Sequence, residues 1–311
     1  MDWTGRRILV TGASGFLGSR LTRRLVEQGA LVEAWTTSSA HPVRLTAVFD
    51  RLTLSSVDIR DAVQVRDACR RAEAEVVYHL AAYGVHAEQQ DFLQAVETNV
   101  RGMANLLAGL KDTPCRRVVT TGTWAEYGAK DYPIHEHEPL EPVGAYGATK
   151  AAATRLALAF ASQERLPLVV LRPFSVYGPG EGGRKFVPSI IRSCLRGENP
   201  RLSSGRQVRD YLYIDDVIDA YLKAADLTVT APLVLNVASG IPLYLRDFAS
   251  AIVTHFPGLH ADLGALPDRE REIWKVQADI TQIKAIMGWQ PAWPLEDGIR
   301  RTVEWYRHHD N

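Results

Sequence analysis

Thr11-Gly-Ala-Ser-Gly-Phe-Leu-Gly18 follows directly on the apolar triplet Ile8-Leu9-Val10 and opens a helical pattern over 16–28; a second strand pattern covers 31–35. Small residues let such a turn close. They also let backbone N–H groups approach a pyrophosphate, which then sits at the positive end of the helix. A glycine triplet alone says little, but the strand before it, the helix after it and the next strand supply the required context. Outward from this turn the alternation continues. Helical patterns occupy 63–72, 92–111 and 145–162, and strand patterns 76–80, 117–121 and 168–172. Strands separated by helices of roughly 10–15 residues predict parallel βαβ units in a doubly wound α/β sheet. Several strands are apolar runs, as expected where helices cover both faces.

After Pro173 the texture changes to a Gly/Pro-rich loop over 176–183 and turns such as Asn199-Pro200 and Ser239-Gly240. The expected division is a dinucleotide-binding domain over 1–175, with return segments at about 211–237. Within that return, 211–214 and 234–237 are expected to rejoin the main sheet. The remainder, 176–210 and 238–311, forms a smaller α/β substrate domain. No internal repeat or low-complexity tract interrupts the chain.

Composition narrows the function. A chain of 311 residues suits about two domains. Its 36 basic and 36 acidic residues balance, so nothing electrostatic draws it to nucleic acid or an anionic membrane. Its 46% hydrophobic content is that of a globular protein. Cys69, Cys115 and Cys194 are too few and too scattered for a disulfide framework or a cysteine zinc site, which favours a reducing compartment. No run of eighteen apolar residues lacks a charge, so a spanning helix is not expected. The first seven residues lead straight into a strand and leave no room for a signal peptide. A soluble, cytoplasmic protein is expected.

The end of the second strand bears on the choice of dinucleotide. An acid about 20 residues beyond the loop holds the adenosine ribose of NAD. Here that position falls near Thr36, in Trp35-Thr-Thr-Ser-Ser39. Glu33 precedes it by three residues and so points to the opposite face; the next acid is Asp50. Hydroxyls at Thr36, Thr37 and Ser38, with His41 and Arg44 beyond, suit a 2′-phosphate. NADP(H) is expected ahead of NAD, with Arg44 as a solvated loop charge the alternative.

Tyr146-Gly-Ala-Thr-Lys150 places a phenol and an ammonium one helical turn apart. An ammonium nearby is expected to lower the phenol pKa towards working pH, making it a general acid or base. With 11 Tyr in the chain the spacing alone is weak evidence. The pair also follows Thr120-Thr-Gly-Thr-Trp-Ala-Glu-Tyr-Gly128, a hydroxyl-rich strand end at the carboxyl edge of the sheet, where open α/β sheets bind ligands.

With these residues assembled, the whole chain resembles the extended short-chain dehydrogenase/reductase family, in its nucleotide-sugar epimerase/dehydratase/reductase branch. The matching segments include the loop at 11–18, Asp58-Ile-Arg-Asp61, His79-Leu-Ala-Ala82, Asn99, Thr123 to Gly128 and Tyr146…Lys150. Further matches are Arg172-Pro-Phe-Ser-Val-Tyr-Gly-Pro-Gly180, Arg209 to Asp216, Asn236 to Gly240, Ala278-Asp-Ile-Thr281 and Gly288-Trp-Gln-Pro291.

The resemblance implies a Rossmann-type fold and a role for each matching residue. Gly12, Ser14, Gly15, Phe16, Leu17 and Gly18 would cradle the pyrophosphate. Asp58 and Ile59 would flank the adenine, and Leu80, Ala81, Ala82, Asn99, Thr121 and Pro173 would line the cofactor's path. Lys150 would bind the nicotinamide ribose, Tyr146 exchange the proton and Thr123 hydrogen-bond the reacting oxygen. Tyr83, His86, Trp124 and Ser175 would line the sugar pocket, while Phe186, Val187 and Arg209 would grip the nucleotide diphosphate. Arg209 could instead be spent on an ion pair with Asp210 or Asp215, and Trp124 on packing. A homodimer through the helices over 92–111 and 145–162 is also implied, although their small residues could pack on their own sheet.

Departures from the family pattern narrow the chemistry. Its 4,6-dehydratases carry Thr-Asp-Glu where this chain has Thr123-Trp124-Ala125; Trp and Ala can be neither acid nor base, which argues against dehydration. Glu126 is one residue out of place, and Ser175 stands where many members have Asn. His135-Glu-His137-Glu138 lacks a third well-spaced ligand, so no metal is expected. The expected activity is NADPH-dependent reduction of the C4 ketone of a nucleotide-activated 4-keto-6-deoxyhexose, a step of deoxysugar biosynthesis. The alternatives are an NAD-dependent nucleotide-sugar C4 epimerase and a non-catalytic NADP-sensing protein.

Overall fold

Ile8, Leu9 and Val10 form the middle of β1 (Arg7–Thr11) and are at most 1% exposed, as a central strand covered on both faces must be. In the computed structural model of the chain, residues 2–37, 42–85, 88–182, 185–270 and 272–309 are described. His41, Ser38 and His86, expected at the cofactor or sugar, lie outside them.

β1 sits between β2 (Leu31–Thr36) and β4 (Val76–His79) in a seven-stranded sheet of order β3-β2-β1-β4-β5-β6-β9. The other strands are β3 (Thr53–Ser56), β5 (Arg117–Thr121), β6 (Leu168–Pro173) and β9 (Leu233–Val237). The described pairings along β3-β2-β1-β4-β5-β6 are all parallel, and the strand order reverses between β1 and β4. In register, Thr11 lies beside His79 and His79 beside Thr120. The segments leaving β1, β4 and β5 therefore emerge together at one carboxyl edge, the switch point where such sheets bind ligands.

Helices α1 (Phe16–Glu27), α2 (Ala62–Ala72), α4 (Gly102–Leu110) and α5 (Gly144–Glu164) connect these strands. In α1, Leu21, Leu25 and Val26 are buried at helical spacing, each apolar side chain contributing about 1.5–3 kcal/mol. The helix expected over 92–111 is continuous but not uniform. A short α3 (Phe92–Ala95) passes into a π-helical stretch, Val96–Arg101, before α4. Nothing in the apolar spacing marks that widening. A 3-10 helix, Val43–Arg51, and the short half-buried β3 also escape the periodicity, because neither carries a repeating apolar face long enough to register.

Contacts divide the chain into two compact units. The first comprises 1–128, 140–172 and 218–235; the second, 129–139, 173–217 and 236–311. The segment 129–139 thus goes with the second unit, where Ile134 N–H and C=O bond Gln277 and Asp279 and the Glu136 carboxylate accepts the Asn236 N–H. The expectation that 211–214 rejoins the main sheet is wrong. Residues 211–213 belong to β8 (Val208–Tyr213), which pairs with β7 (Ser175–Tyr177) and β10 (Pro242–Tyr244) in a separate three-stranded sheet, and Ile214 opens the helix that follows. Only 234–237 rejoin, as β9. A short β-rich run does not say which sheet it joins; here Tyr211 is held by stacking on Phe248 at 3.9 Å, with Tyr177 packed edge-on against both.

Candidate active site

The turn after β1 is shaped by what cannot fit there. Gly12 has φ +67°, and a Cβ on it would lie 2.6 Å from the Ala81 nitrogen. A Cβ on Gly18 would lie 2.1 Å from the Gly12 carbonyl oxygen. Gly15 caps α1 with no side-chain hydrogen bond, and no acid sits in the first turn, so the positive helix end is left open to an external anion. Ser14, Phe16 and Leu17 are half-buried around it. The cradle fits a dinucleotide pyrophosphate.

The segment after β4 is tied to this turn. The Leu80 N–H bonds the Thr11 carbonyl at 3.2 Å, and the Ala81 N–H bonds Thr11 Oγ1 at 3.3 Å. Thr11 Oγ1 also shares a 2.7 Å hydrogen bond with His79 Nδ1. Burial, assisted by the nearby Lys150 charge, pushes the His79 pKa down to about 3. His79 therefore stays neutral and works as a strut.

Asn99, expected at the cofactor, turns out to be a clamp. Its Oδ1 accepts the Tyr83 N–H at 2.8 Å, and its Nδ2 donates to the Tyr83 carbonyl and to Thr149 Oγ1, both at 2.9 Å. It thus locks the Ala82–Gly84 turn to α5, and the π-helical stretch carries it. Gly84, at φ +94°, lies against the Tyr146 ring: a Cβ there would be 3.2 Å from Cδ2.

Thr123 and Glu126 form a capping box around the 3-10 turn Trp124–Glu126. Thr123 Oγ1 accepts the Ala125 N–H at 3.3 Å, and Glu126 Oε1 accepts the Thr123 N–H at 3.0 Å. The Thr123 side chain lies close enough to the Tyr146 phenol to lower its pKa. Lys150, one turn further along α5, is 3% exposed. These three residues come together as expected, but the expected electrostatics are reversed. Burial pushes the Tyr146 phenol up to about 12, against the effect of Thr123 and helped by the Glu126 charge. Burial likewise lowers the Lys150 pKa, with Glu126 opposing. Desolvation outweighs the ammonium expected to activate the phenol.

Glu126 is the residue whose part the sequence concealed. It is fully buried, and Arg172, 2% exposed, meets one of its oxygens with Nε at 2.9 Å and Nη2 at 2.7 Å. Burial works against the Arg172 charge, yet Glu126 and Tyr127 hold its pKa above the ordinary value. Removing one partner of such a pair costs about 3–5 kcal/mol. The only hint in the sequence is an acid just before Tyr127 and an arginine ending an apolar strand.

The remaining residues expected at the site are distributed over both units. Thr36 is buried at the end of β2, and Thr37 beside it is exposed. Arg44 Nη1 donates to the Ser14 carbonyl at 3.3 Å, which brings a guanidinium to the phosphate turn. Glu33 faces away from them: it accepts from Trp35 Nε1 at 2.8 Å and Ser55 Oγ at 3.0 Å. Asp58 is held below the usual carboxylate range by its hydrogen bonds to Arg60, and Ile59 is buried, with a Cβ on Gly102 only 2.8 Å from its Cγ2. An open hollow of about 550 Å³ beside Asp58 is lined also by Arg60, Glu97 and Arg101, away from the reacting dyad. Thr121 Oγ1 accepts the Tyr221 hydroxyl at 2.7 Å. Trp124 is half-buried in the capped turn, and Pro173 ends β6.

In the second unit, Ser175 begins β7, and Phe186 and Val187 open α6 (Phe186–Leu195). Arg209 on β8 pairs with Glu272 at 2.9 Å, and not with either expected aspartate. Asp210 is occupied by the N–H groups of Ser239, Gly240 and Ala278. Among the described residues no cluster of His, Cys, Asp or Glu could hold a metal, and no helix is long and apolar enough to cross a membrane.

The profile of the family described as "NAD dependent epimerase/dehydratase family" matches residues 8–238. The chain is 30% identical to the low-salt glycan biosynthesis protein Agl12 of Haloferax volcanii, over 96% of this chain and 98% of that protein. It is 29% identical to the UDP-glucose 4-epimerase of Mycolicibacterium smegmatis, over 97% and 99%. Among solved structures, MoeE5 in complex with UDP-glucose and NAD matches with a TM-score of 0.86 at 29% identity, covering 98% of this chain and 99% of that one.

Proposed function

The chain belongs to the NAD dependent epimerase/dehydratase family, and from that premise we propose that it inverts C4 of a nucleotide-activated hexose, with a UDP-sugar as first candidate and NAD as the retained cofactor. The observation that carries the reading is Tyr146 and buried Lys150 one turn apart on α5, with the Thr123 side chain beside the phenol. Trp124 and Ala125 occupy the positions a dehydrating enzyme would need for its extra acid and base. This constellation suits reversible oxidation of a secondary alcohol and not elimination of water.

The Gly12–Gly18 cradle and the open end of α1 would hold the cofactor's pyrophosphate, and Lys150 its nicotinamide ribose. When bound, the dinucleotide supplies the hydride acceptor and donor. Tyr146, as phenolate, takes the proton of the sugar's 4-hydroxyl while Thr123 donates a hydrogen bond to the same oxygen. After the 4-keto sugar presents its other face, Tyr146 returns the proton. The buried ammonium of Lys150 stabilises the phenolate as it forms. In the second unit, Phe186, Val187 and Arg209 are the candidates for the nucleotide and diphosphate, with Arg209 exchanging Glu272 for phosphate oxygens.

The similarity to a UDP-glucose 4-epimerase and to an NAD complex favours this reading over the net 4-keto reduction anticipated from the sequence. The expected result is that protein purified without added cofactor carries bound NAD. It then interconverts C4 epimers of a UDP-hexose, followed by chromatography of the sugars, with no change in reduced-nicotinamide absorbance. Consumption of NADPH with 4-keto-6-deoxy sugars and no epimer formation would instead establish the reductase.

One observation keeps that second reading in play: Thr36 stands at the ribose end of β2, Glu33 faces away, and Arg44 reaches the phosphate turn. A charged hydrogen bond contributes roughly 1.5–3 kcal/mol. Under the NADP reading, Arg44→Ala weakens NADP(H) about 10- to 100-fold and spares NAD(H). Equal affinities before and after, measured by fluorescence titration of both dinucleotides, remove it.

A further inference from the structure

Glu126 and Arg172 lie directly behind the reacting hydroxyls, and no step of the proposed reaction uses them. Both Glu126 oxygens are committed. Oε1 accepts from the Thr123 N–H at 3.0 Å and from Thr154 Oγ1 at 3.1 Å; Oε2 accepts twice from Arg172. Arg172 is itself fixed, its Nη1 donating to the Tyr127 hydroxyl at 2.7 Å and its guanidinium lying 4.4 Å from that ring. The packing admits nothing more: a Cβ on Gly122 would sit 2.7 Å from Glu126 Oε1 and 2.8 Å from the Arg172 Cγ. A carboxylate so saturated is no acid or base. It does hold the backbone of Thr123, whose Oγ1 already accepts from the Ala125 N–H and so has its own proton to give.

We propose that the Glu126–Arg172 pair is a positioning unit of the proton-transfer centre: Glu126 anchors Thr123 so that its hydroxyl, beside the Tyr146 oxygen, donates to the substrate's O4, and Arg172 anchors Glu126. The proposal rests on the C4 redox reading of this site. The charges facing Tyr146 and Lys150 support it. Glu126 comes from the capped turn with Arg172 of β6 behind it, Tyr221 from α7 (Ile214–Ala225) and neutral His79 from β4; the glycine of the Tyr83–Gly84 turn adds none. Of these, Glu126 is the anion, and it raises both pKa values of the dyad.

The test uses the cofactor-loaded full chain and two variants. Glu126→Leu with Arg172→Met removes both buried charges together, so neither is stranded. Thermal melting and cofactor titration should show it folded and loaded. Its kcat should fall about 10²-fold with KM within a few fold, the scale of a reacting group misplaced by about 1 Å. The same double substitution made on Thr123→Ala should cost less than about threefold, because its effect passes through Thr123. Glu126→Gln keeps an acceptor for the Thr123 N–H and loses the charge. It should hold kcat within about tenfold and move the acid limb of the pH profile to lower pH.

A purely structural pair would lower the melting temperature and leave kcat, the coupling to Thr123 and the pH limb where they were. Any one of those outcomes overturns the proposal. Should the double variant not fold, an unshifted limb in Glu126→Gln overturns it alone. A wild type that performs no C4 chemistry on a UDP-hexose panel brings down the reading beneath it, and the inference with it. An active wild type with unaffected variants brings down the inference only.

Discussion

Tyr146→Phe is expected to lower turnover about 10²- to 10⁴-fold while leaving cofactor affinity within about twofold, the range for loss of a positioned general acid–base. The change removes one oxygen. The ring stays against Gly84, and solvent or substrate takes the vacated place beside Thr123, so the fold is preserved. The pH dependence adds a second readout. With its pKa pushed up to about 12 by burial, the phenol is protonated across the neutral range, and the base form needed to oxidise an alcohol is scarce. Turnover limited by that step therefore rises with pH, approaching tenfold per unit well below the operative pKa, and the Phe variant loses that slope. Steady-state kcat measured from about pH 6 to 9 with a charge-balanced buffer series checks both. A Phe variant with wild-type turnover would mean that some other group moves the proton.

Gly18→Ala should abolish cofactor binding to beyond about 100-fold weaker and lower the melting temperature as well. The added Cβ would stand 2.1 Å from the Gly12 carbonyl oxygen and 2.9 Å from its carbonyl carbon, both backbone atoms with nowhere to go. Gly12 cannot yield, since it is itself at φ +67° with Ala81 backbone in its path. The turn must open, and with it the array of N–H groups that faces the pyrophosphate. Gly5→Ala is the control. Gly5 also has positive φ, +71°, yet nothing lies within 4 Å of its missing Cβ. It should lose roughly 1–2 kcal/mol from backbone strain and keep cofactor affinity. Isothermal titration with NAD, alongside thermal melting, separates the two effects. Normal binding by Gly18→Ala would show that this turn does not hold the dinucleotide.

The two glycines also mark how legible the fold is. A glycine triplet between an apolar strand and an amphipathic helix can be read because its constraints are local: the turn, the helix start and the strand lie within about 20 residues. Tyr146 and Lys150 are legible for the same reason, one turn apart on α5. Glu33 shows what alternation along a strand can decide: Trp35 and Ser55 share its face, and Thr36 does not. What defeated the sequence was reach across it. Asn99 bonds Tyr83 and Thr149, 16 and 50 positions away, and Arg172 meets Glu126 across 46.

Local patterning, then, determined the parallel sheet, the phosphate turn and the Tyr–Lys pair, because each depends on neighbours within a few turns of backbone. The tertiary structure alone decided the electrostatic state of that pair. Whether the ammonium activates the phenol or burial suppresses it depends on how much water each group loses, and on a buried carboxylate brought in from another segment. Likewise β8 could be recognised as a strand, but which sheet it joined was settled by the aromatic packing around Tyr211. Desolvation and long-range pairing are properties of the packed chain, and no stretch of sequence carries them by itself.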